Sequence, residues 1–93
     1  MDFIKEPGRI YAEDENGKIV AKVTFPLTAK GVVAIDHTFV DESLRGLGVA
    51  DLLMEEAYGQ LKDEGLKAEA VCSYAVAWYK RHPEKRDILA ECE

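Results

Sequence analysis

The first third of the chain alternates between apolar and polar positions, a pattern typical of β-strands. Arg9 to Ala12 forms one short stretch, and residues 19–25 form a second in which every other residue is apolar. Between them, Asn16-Gly17 favours a tight hairpin, because these residues tolerate positive φ angles. Pro26 ends the second strand, since proline has no amide proton to donate to a ladder. The pattern predicts an antiparallel hairpin.

A longer apolar run follows from Val32 to Val40, and both of its faces are largely apolar. Such a run predicts a central strand that is covered on both sides. His37 falls on the face with the larger apolar side chains, whereas Asp36 and Thr38 fall on the other. We therefore expect apolar neighbours around His37, and we expect Asp36 and Thr38 only to complete the strand.

The period then changes from two to between three and four. Apolar residues from Val49 to Leu61 recur at helical spacing, with charged residues on the opposite side, and Gly65 ends this helix. Residues 67–72 alternate again and predict a short strand. Ser73 is the expected N-cap of a second helix that ends near His82.

The order of these elements predicts the fold class. A strand–helix–strand unit over residues 32–72 makes its two strands parallel, with a right-handed crossover, while the earlier strands are antiparallel. Residues 84–93 are mostly polar and predict either a docked final turn or a frayed tail. We expect a mixed α/β sheet with a C-terminal helix, in a single domain that spans residues 1–93.

Charge and composition exclude several classes of function. The chain has 12 basic and 18 acidic residues and a net charge of −6, which argues against a general nucleic-acid binder and against a basic membrane anchor. No apolar run is long enough to span a bilayer, and the first residues show no targeting pattern. Cys72 and Cys92 lack metal-site spacing, so we expect no metal site and no disulfide framework. A cytoplasmic monomer is the expectation.

The loop before the first helix carries the candidate chemistry. In strand–helix–strand units, ligands lie beyond the carboxyl ends of the parallel strands. Gly46 and Gly48 let the backbone approach a ligand and turn its amides outward, and the helix start adds partial positive charge. Arg45 supplies a guanidinium for a phosphate. The loop therefore predicts a diphosphate site, although it matches neither the dinucleotide-binding fingerprint nor the P-loop.

Four segments of the chain resemble a small, stand-alone branch of the GNAT acetyltransferase superfamily, nearly end to end. Arg45-x-x-Gly48-x-Ala50 is similar to the superfamily's phosphate loop, Gln/Arg-x-x-Gly-x-Gly/Ala. The other segments are His37-Thr38-Phe39-Val40, Cys72-Ser73-Tyr74 and Tyr79-Lys80-Arg81-His82-Pro83-Glu84. The resemblance implies a minimal GNAT fold and an N-acetyltransferase that uses acetyl-CoA as its cosubstrate.

The resemblance also implies where acetyl-CoA binds. The two central parallel strands splay at their carboxyl ends, the pantetheine arm pairs with backbone near Phe39 and Val40, and the thioester points toward Cys72. A basic cluster follows the second helix beside this site, and it either contacts the 3′-phosphate or adenine end of CoA or is simply a solvated face. The residues assigned to cofactor binding are Phe39, Val40, Arg45, Gly46, Leu47, Gly48, Val49, Ala50, Tyr74, Lys80 and His82.

Three residues are assigned to catalysis, each with a structural alternative. Cys72 precedes a helix whose dipole stabilises a thiolate, so it accepts the acyl group, lines the pocket, or is simply a small buried hydrophobe. His37 is a general base or a hydrogen-bonded core histidine. The resemblance implies that a tyrosine on the second helix protonates the leaving thiolate; this is Tyr79 or Tyr74, unless both only pack against the sheet.

One departure from the superfamily concerns the acceptor side. GNAT enzymes have helices between the first two strands, whereas this chain has only Glu6-Pro7-Gly8 and a short strand there. An exposed acceptor site and a negative net charge favour a large cationic acceptor, such as a protein lysine or a polyamine. The alternatives are a non-catalytic acyl-CoA sensor or interaction module, and a structural α/β domain without affinity for CoA.

Overall fold

A computed structural model of the chain describes residues 2–90, which form short strands and two helices. Within these residues, no helix combines the length and the apolar content needed to cross a membrane. Two 3₁₀ segments span Glu42–Leu44 and Pro83–Ile88. The strands are β1 (Ile4–Glu6), β2 (Arg9–Glu13), β3 (Ile19–Thr24), β4 (Leu27–Ala29), β5 (Val32–Ile35), β6 (His37–Val40) and β7 (Lys67–Ala70), and the helices are α1 (Val49–Glu64) and α2 (Ser73–Arg81).

The strands form two hydrogen-bonded sheets. One sheet is antiparallel in the order β1-β2-β3-β6, and the other has the order β4-β5-β7 with β5 and β7 parallel. Helix α1 connects β6 to β7. This arrangement confirms the predicted mixed α/β sheet, in which antiparallel strands precede a parallel strand–helix–strand unit, although β1 and β4 were not predicted.

The predicted hairpin lies between β2 and β3. Gly17 has a φ of 83°, and the carboxylate of Asp14 accepts from the amides of Asn16 and Lys18. The left-handed glycine and the side-chain acceptor together fix the turn. The hairpin sets the register that brings Ile10 opposite Val23 on the core face of the sheet.

The prediction of one continuous strand over residues 32–40 is wrong. The chain bends at Asp36, whose amide donates to the Thr24 carbonyl and whose carboxylate accepts from the Thr24 hydroxyl. Before the bend β5 pairs with β7, and after it β6 pairs with β3. Three of the four β5 residues are buried but none of the β6 residues is, so the expected burial on both faces ends at the bend.

Helix α1 places its apolar side on the antiparallel sheet. The helix buries Leu53, Met54, Ala57 and Leu61, which join the side chains of β2 and β3 in one core. Gly65 ends the helix with a φ of 70°, and its amide donates to carbonyls of the last turn. The amphipathic pattern therefore fixes α1 on the sheet with its first turn at the end of β6.

The segment after α2 is docked up to residue 90. Pro83–Ile88 forms a 3₁₀ helix that buries Ile88, and the Ala90 amide donates to the Ala68 carbonyl at 2.8 Å. These contacts favour the docked alternative for this part of the tail. Cys92, and with it the expectation of no disulfide, lies outside the described residues.

Candidate functional site

The two central parallel strands separate at the bend. The amides of Val71 and Cys72 both donate to the carbonyl of Ile35 at 3.0 Å, and among residues 2–90 these are the last backbone hydrogen bonds between the two segments. Beyond them β6 pairs with β3 alone among the strands of residues 2–90. The strands therefore splay, and β6 presents an unpaired backbone edge to the gap.

A cavity of about 360 Å³ opens beside this splay, between the end of β6, the loop that follows it and the start of α2. Seven of its lining residues had been assigned to cofactor binding: Val40, Arg45, Gly46, Gly48, Val49, Ala50 and Tyr74. The other three, Thr38, Leu44 and Asp51, had not.

The start of α1 leaves backbone amides available to a ligand. Gly48 precedes the helix with a φ of 76°, and no side chain caps the helix there. Gly46 has a φ of 85°, and a Cβ added at either glycine would meet nothing within 4 Å. The amides of Gly46, Gly48, Val49 and Ala50 have no acceptor among residues 2–90. A helix start with free amides and partial positive charge can bind an anion.

Cys72 is half-buried at the other side of the splay, where it caps α2. Its Sγ accepts from the Ala75 amide at 3.4 Å and lies 3.5 Å from Thr38 Oγ1. The prediction of Ser73 as the N-cap is wrong, because the sulfur takes that place and Ser73 is the first helical residue. The expectation that Thr38 only completes a strand is also wrong, since it meets Cys72 across the gap.

His37 is exposed at the start of β6, opposite Thr24. The expectation that His37 lies among buried apolar residues is wrong, because beyond the bend β6 is an edge strand with no buried residue. Side chains alternate along a strand, so His37 and Phe39 lie on the face opposite to Thr38 and Val40, which line the cavity. The backbone role assigned to Phe39 does not depend on that face.

The two candidate tyrosines of α2 have different surroundings. Tyr74 is half-buried and lines the cavity, the Arg81 guanidinium carbon lies 5.7 Å from its ring centroid, and burial raises its pKa. Tyr79 is 1% exposed, and its hydroxyl has no hydrogen-bond partner among residues 2–90. Burial also raises the pKa of Tyr79. The structure thus brings Tyr74 to the cavity and leaves Tyr79, the residue assigned to catalysis, in the core.

Four residues assigned to cofactor binding lie outside the cavity lining: Phe39, Leu47, Lys80 and His82. Leu47 is 66% exposed in the loop, and Lys80 is exposed on α2. His82 stacks on Trp78 with ring centroids 4.3 Å apart.

The indole N–H of Trp78 donates to Asp51 Oδ1 at 2.6 Å. Sequence reasoning missed Asp51 because a contact between residues of two separate helices leaves no local pattern.

Comparison with protein families gives a match over most of the chain. A family model described as GCN5-related N-acetyl-transferase matches residues 9–88. The protein NATD1 from Gallus gallus is 32% identical over 63 residues, which cover 68% of this chain and 57% of NATD1. The matched region thus spans little more than half the length of that curated relative.

Solved structures give the same picture of the fold. A GCN5-like protein from Staphylococcus aureus, solved by NMR, matches with a TM-score of 0.80 and 24% identity over 99% of this chain and 90% of that one. A GNAT family N-acetyltransferase from Escherichia coli, solved in complex with CoA, matches with a TM-score of 0.64 and 25% identity over 78% of this chain and 43% of that one.

Proposed function

Because this chain belongs to the GCN5-related N-acetyltransferase family, we propose that it binds acetyl-CoA at the cavity beside α1 and transfers the acetyl group to an amine. The observation that carries the proposal is the uncapped start of α1, where free amides and two left-handed glycines open into the cavity. The CoA bound to the Escherichia coli relative supports the same cosubstrate for this chain.

Each part of acetyl-CoA has a matching feature. The amides of Gly46, Gly48, Val49 and Ala50 hold the diphosphate, with Arg45 as an added cation. The unpaired edge of β6, around Phe39 and Val40, offers backbone groups to the pantetheine amides in the manner of an added strand. The thioester then lies in the splay, near Thr38 and Cys72.

Direct transfer needs a base, an oxyanion site and an acid. The amine nitrogen attacks the thioester carbonyl, an N–C bond forms and the C–S bond breaks. Backbone amides at the splay stabilise the oxyanion, and the CoA thiolate takes a proton. The position of Tyr74 favours it over Tyr79 as that acid. His37 lies on the opposite face of β6, so it acts only on an amine that approaches from that face, through water.

The covalent route passes through Cys72. In it the sulfur attacks the carbonyl, releases CoA and holds the acetyl group as a thioester until the amine removes it. The support is local, because the sulfur accepts a hydrogen bond at the first turn of α2 and faces Thr38 across the gap. The routes differ in one observable, which is a covalent acetyl adduct on the protein.

The test uses radiolabelled acetyl-CoA with the wild type and two variants. Calorimetry first measures binding, and absence of saturable heat would overturn the proposed function. Cys72→Ala should then abolish any label that survives denaturation, while Ser73→Ala should keep it. Full turnover by Cys72→Ala would reject the covalent route and leave direct transfer.

A second candidate function is an acyl-CoA sensor without catalysis. The observation that favours it is the connection between β1 and β2, where a turn of two residues, Pro7-Gly8, replaces any acceptor-binding helix. Turnover against a panel of protein lysines and polyamines separates the two functions. CoA binding without acetylation of any amine would favour the sensor.

The identity of the acceptor, the oligomeric state, the cellular compartment and the domain organisation stay predictions. The net charge of −6 favours a cationic acceptor through long-range attraction. A monomer in the cytoplasm, and a single domain over residues 1–93, are carried forward from the sequence. Sedimentation of the full chain would test the monomer, and limited proteolysis would test the single domain.

A further inference from the structure

A mixed cluster of titratable side chains lies where the start of α1 meets the end of α2. Asp51 and Glu55 are one helical turn apart on α1, and His82 follows α2. Each offers one ligand atom, and these three atoms lie within 4.8 Å of one another. The cluster joins two carboxylates with an imidazole from a different element, which is the donor set of many protein metal sites.

A hydrogen bond at Nδ1 fixes the orientation of the His82 imidazole. His82 Nδ1 lies 2.9 Å from the carbonyl oxygen of Trp78, and a carbonyl only accepts, so Nδ1 carries the proton. In its neutral form the ring then presents the lone pair of Nε2 on its other side. That atom lies 3.9 Å from Asp51 Oδ1, so two acceptors face each other. Such a pair becomes favourable when a proton or a metal ion lies between them.

We propose that Asp51, Glu55 and His82 bind one divalent transition-metal ion, with Zn²⁺ the best match to this nitrogen and oxygen donor set. Backbone carbonyls that hold the far nitrogen of an imidazole are typical outer-shell partners of metal ligands. Trp78 holds two ligands at once, since its carbonyl accepts from His82 and its indole N–H donates to Asp51. The ring stack between Trp78 and His82 fixes the plane of the imidazole.

Lys85 is the competitor for this site. Its Nζ lies 3.4 Å from the carboxylate of Glu55 and 5.0 Å from the ring centroid of Tyr58. A metal ion and an ammonium group repel each other, so metal binding should displace Lys85 from Glu55. Lys85 can still keep its contact with the ring of Tyr58. Replacing Lys85 by an uncharged residue should therefore strengthen metal binding.

No sequence pattern indicates this site, and the expectation of no metal site rested on cysteine spacing alone. Asp51 and Glu55 have helical spacing, but His82 comes from a separate element. The proposal does not depend on the proposed function, although Asp51 also lines the cavity. A metal ion at Asp51 would neutralise a carboxylate beside the amides that are assigned to the diphosphate.

The experiment titrates zinc chloride into the full chain by calorimetry, with variants of the ligands and of nearby acids and thiols. The expected result is one saturable site. His82→Ala should weaken it by more than about 100-fold, because even outer-shell partners contribute about 10- to 100-fold. Glu55→Gln should also weaken it and Lys85→Met should strengthen it. Asp63→Asn, an acid elsewhere on α1, should leave it unchanged, as should Cys72→Ser and Cys92→Ser.

A second readout separates metal binding from a folding defect. Imidazole ¹⁵N resonances of the wild type should show zinc at His82 Nε2 while Nδ1 stays protonated. Zinc binding that persists in His82→Ala, or that is lost in a thiol variant, would overturn the proposal. So would a His82 ring that is protonated on both nitrogens and gives no saturable heat, because the cluster is then an ion pair only.

Discussion

The two helices of this protein begin in opposite ways. Helix α1 begins after Gly48, a left-handed glycine with no side chain to cap the first turn. Helix α2 begins after Cys72, whose sulfur accepts from the Ala75 amide. Each helix follows one of the two strand segments that splay at Asp36. We call these the open start of α1 and the closed start of α2. The open start can receive an anion from outside the protein. The closed start places a polarisable sulfur where the thioester of the proposed cosubstrate would lie.

The carboxylate at the start of the preceding loop is used within that loop. Asp41 caps the 3₁₀ turn Glu42–Leu44, where it accepts from the amide and the hydroxyl of Ser43. These two hydrogen bonds lower the pKa of Asp41 and keep its carboxylate ionised, and the bond from the Ser43 hydroxyl has the larger effect. The loop therefore satisfies its own carboxylate before the chain reaches Gly48, where no side chain of residues 2–90 caps α1.

The largest expected effect comes from filling the open start. Gly48→Val places a branched side chain at a left-handed position whose Cβ would enter the space beside the amides. At a CoA concentration of 100 dissociation constants, binding stabilises the wild type by about 2.7 kcal/mol, and the variant should lose that gain. Unfolding by denaturant with and without CoA measures it.

A matched control is Gly31→Val. Gly31 has the same φ of 76° and open space around its Cβ, but it lies in the turn before β5 and lines no part of the cavity. It should lose similar intrinsic stability and keep the full CoA effect. If Gly48→Val keeps the CoA effect, then the open start of α1 does not hold the diphosphate.

The second prediction concerns the two tyrosines that follow the closed start. Tyr79→Phe should stabilise the protein by about 1–3 kcal/mol, because it removes a buried hydroxyl without a partner and keeps the ring. It should leave acetyl transfer unchanged, whereas Tyr74→Phe should slow it. Denaturant unfolding and initial rates measure these effects. Loss of turnover in Tyr79→Phe would restore Tyr79 as the acid and reject Tyr74.

The buried hydroxyl of Tyr79 should also make the stability of the protein depend on pH in alkaline solution. Burial raises the pKa of Tyr79 above its usual 10.0, so the folded chain keeps the proton at pH values where the unfolded chain has lost it. The free energy of unfolding should therefore fall as the pH rises above about 10, by up to about 1.4 kcal/mol per pH unit for one group. Tyr79→Phe should show a shallower fall, and parallel curves for the two proteins would contradict the prediction.

The open start was predictable from sequence and much of the splay was not. Gly46 and Gly48 have left-handed φ angles that belong to local backbone geometry, so a short motif predicts them. The bend at Asp36 depends on which strands pair on each side of it, and the alternation of apolar residues continues across it without a break. His37 and Thr38 were therefore assigned to the wrong surroundings.

The tyrosines illustrate a second limit. Tyr74 and Tyr79 both lie on α2 among aromatic residues, and the sequence offers no means to decide which one packs inward. Tertiary contacts decide it, since Trp78 and Tyr79 pack edge to face with centroids 5.0 Å apart and both are buried. Tyr74, one turn before Trp78, is left beside the cavity.

A smaller effect should follow from opening the closed start. Cys72→Ala removes the acceptor for the Ala75 amide and should cost about 1 kcal/mol, as for other helix caps. Cys72→Ser restores an oxygen acceptor and should recover most of the loss, while Ser73→Ala should have little effect. Urea unfolding of the three variants measures the difference. Equal stability of Cys72→Ala and the wild type would show that the sulfur does not cap α2.

The smallest expected effect lies at the rim of the open start. Arg45 is exposed at the cavity, so its contact with a phosphate is screened by water and salt. Arg45→Gln should weaken CoA binding by about 0.2–1 kcal/mol, the range of exposed ion pairs, and the loss should shrink at high salt. Lys30→Gln removes an exposed cation away from the cavity and should change nothing. A large loss of CoA affinity that does not depend on salt would mean that Arg45, and not the amides, contributes most of the binding energy at the diphosphate.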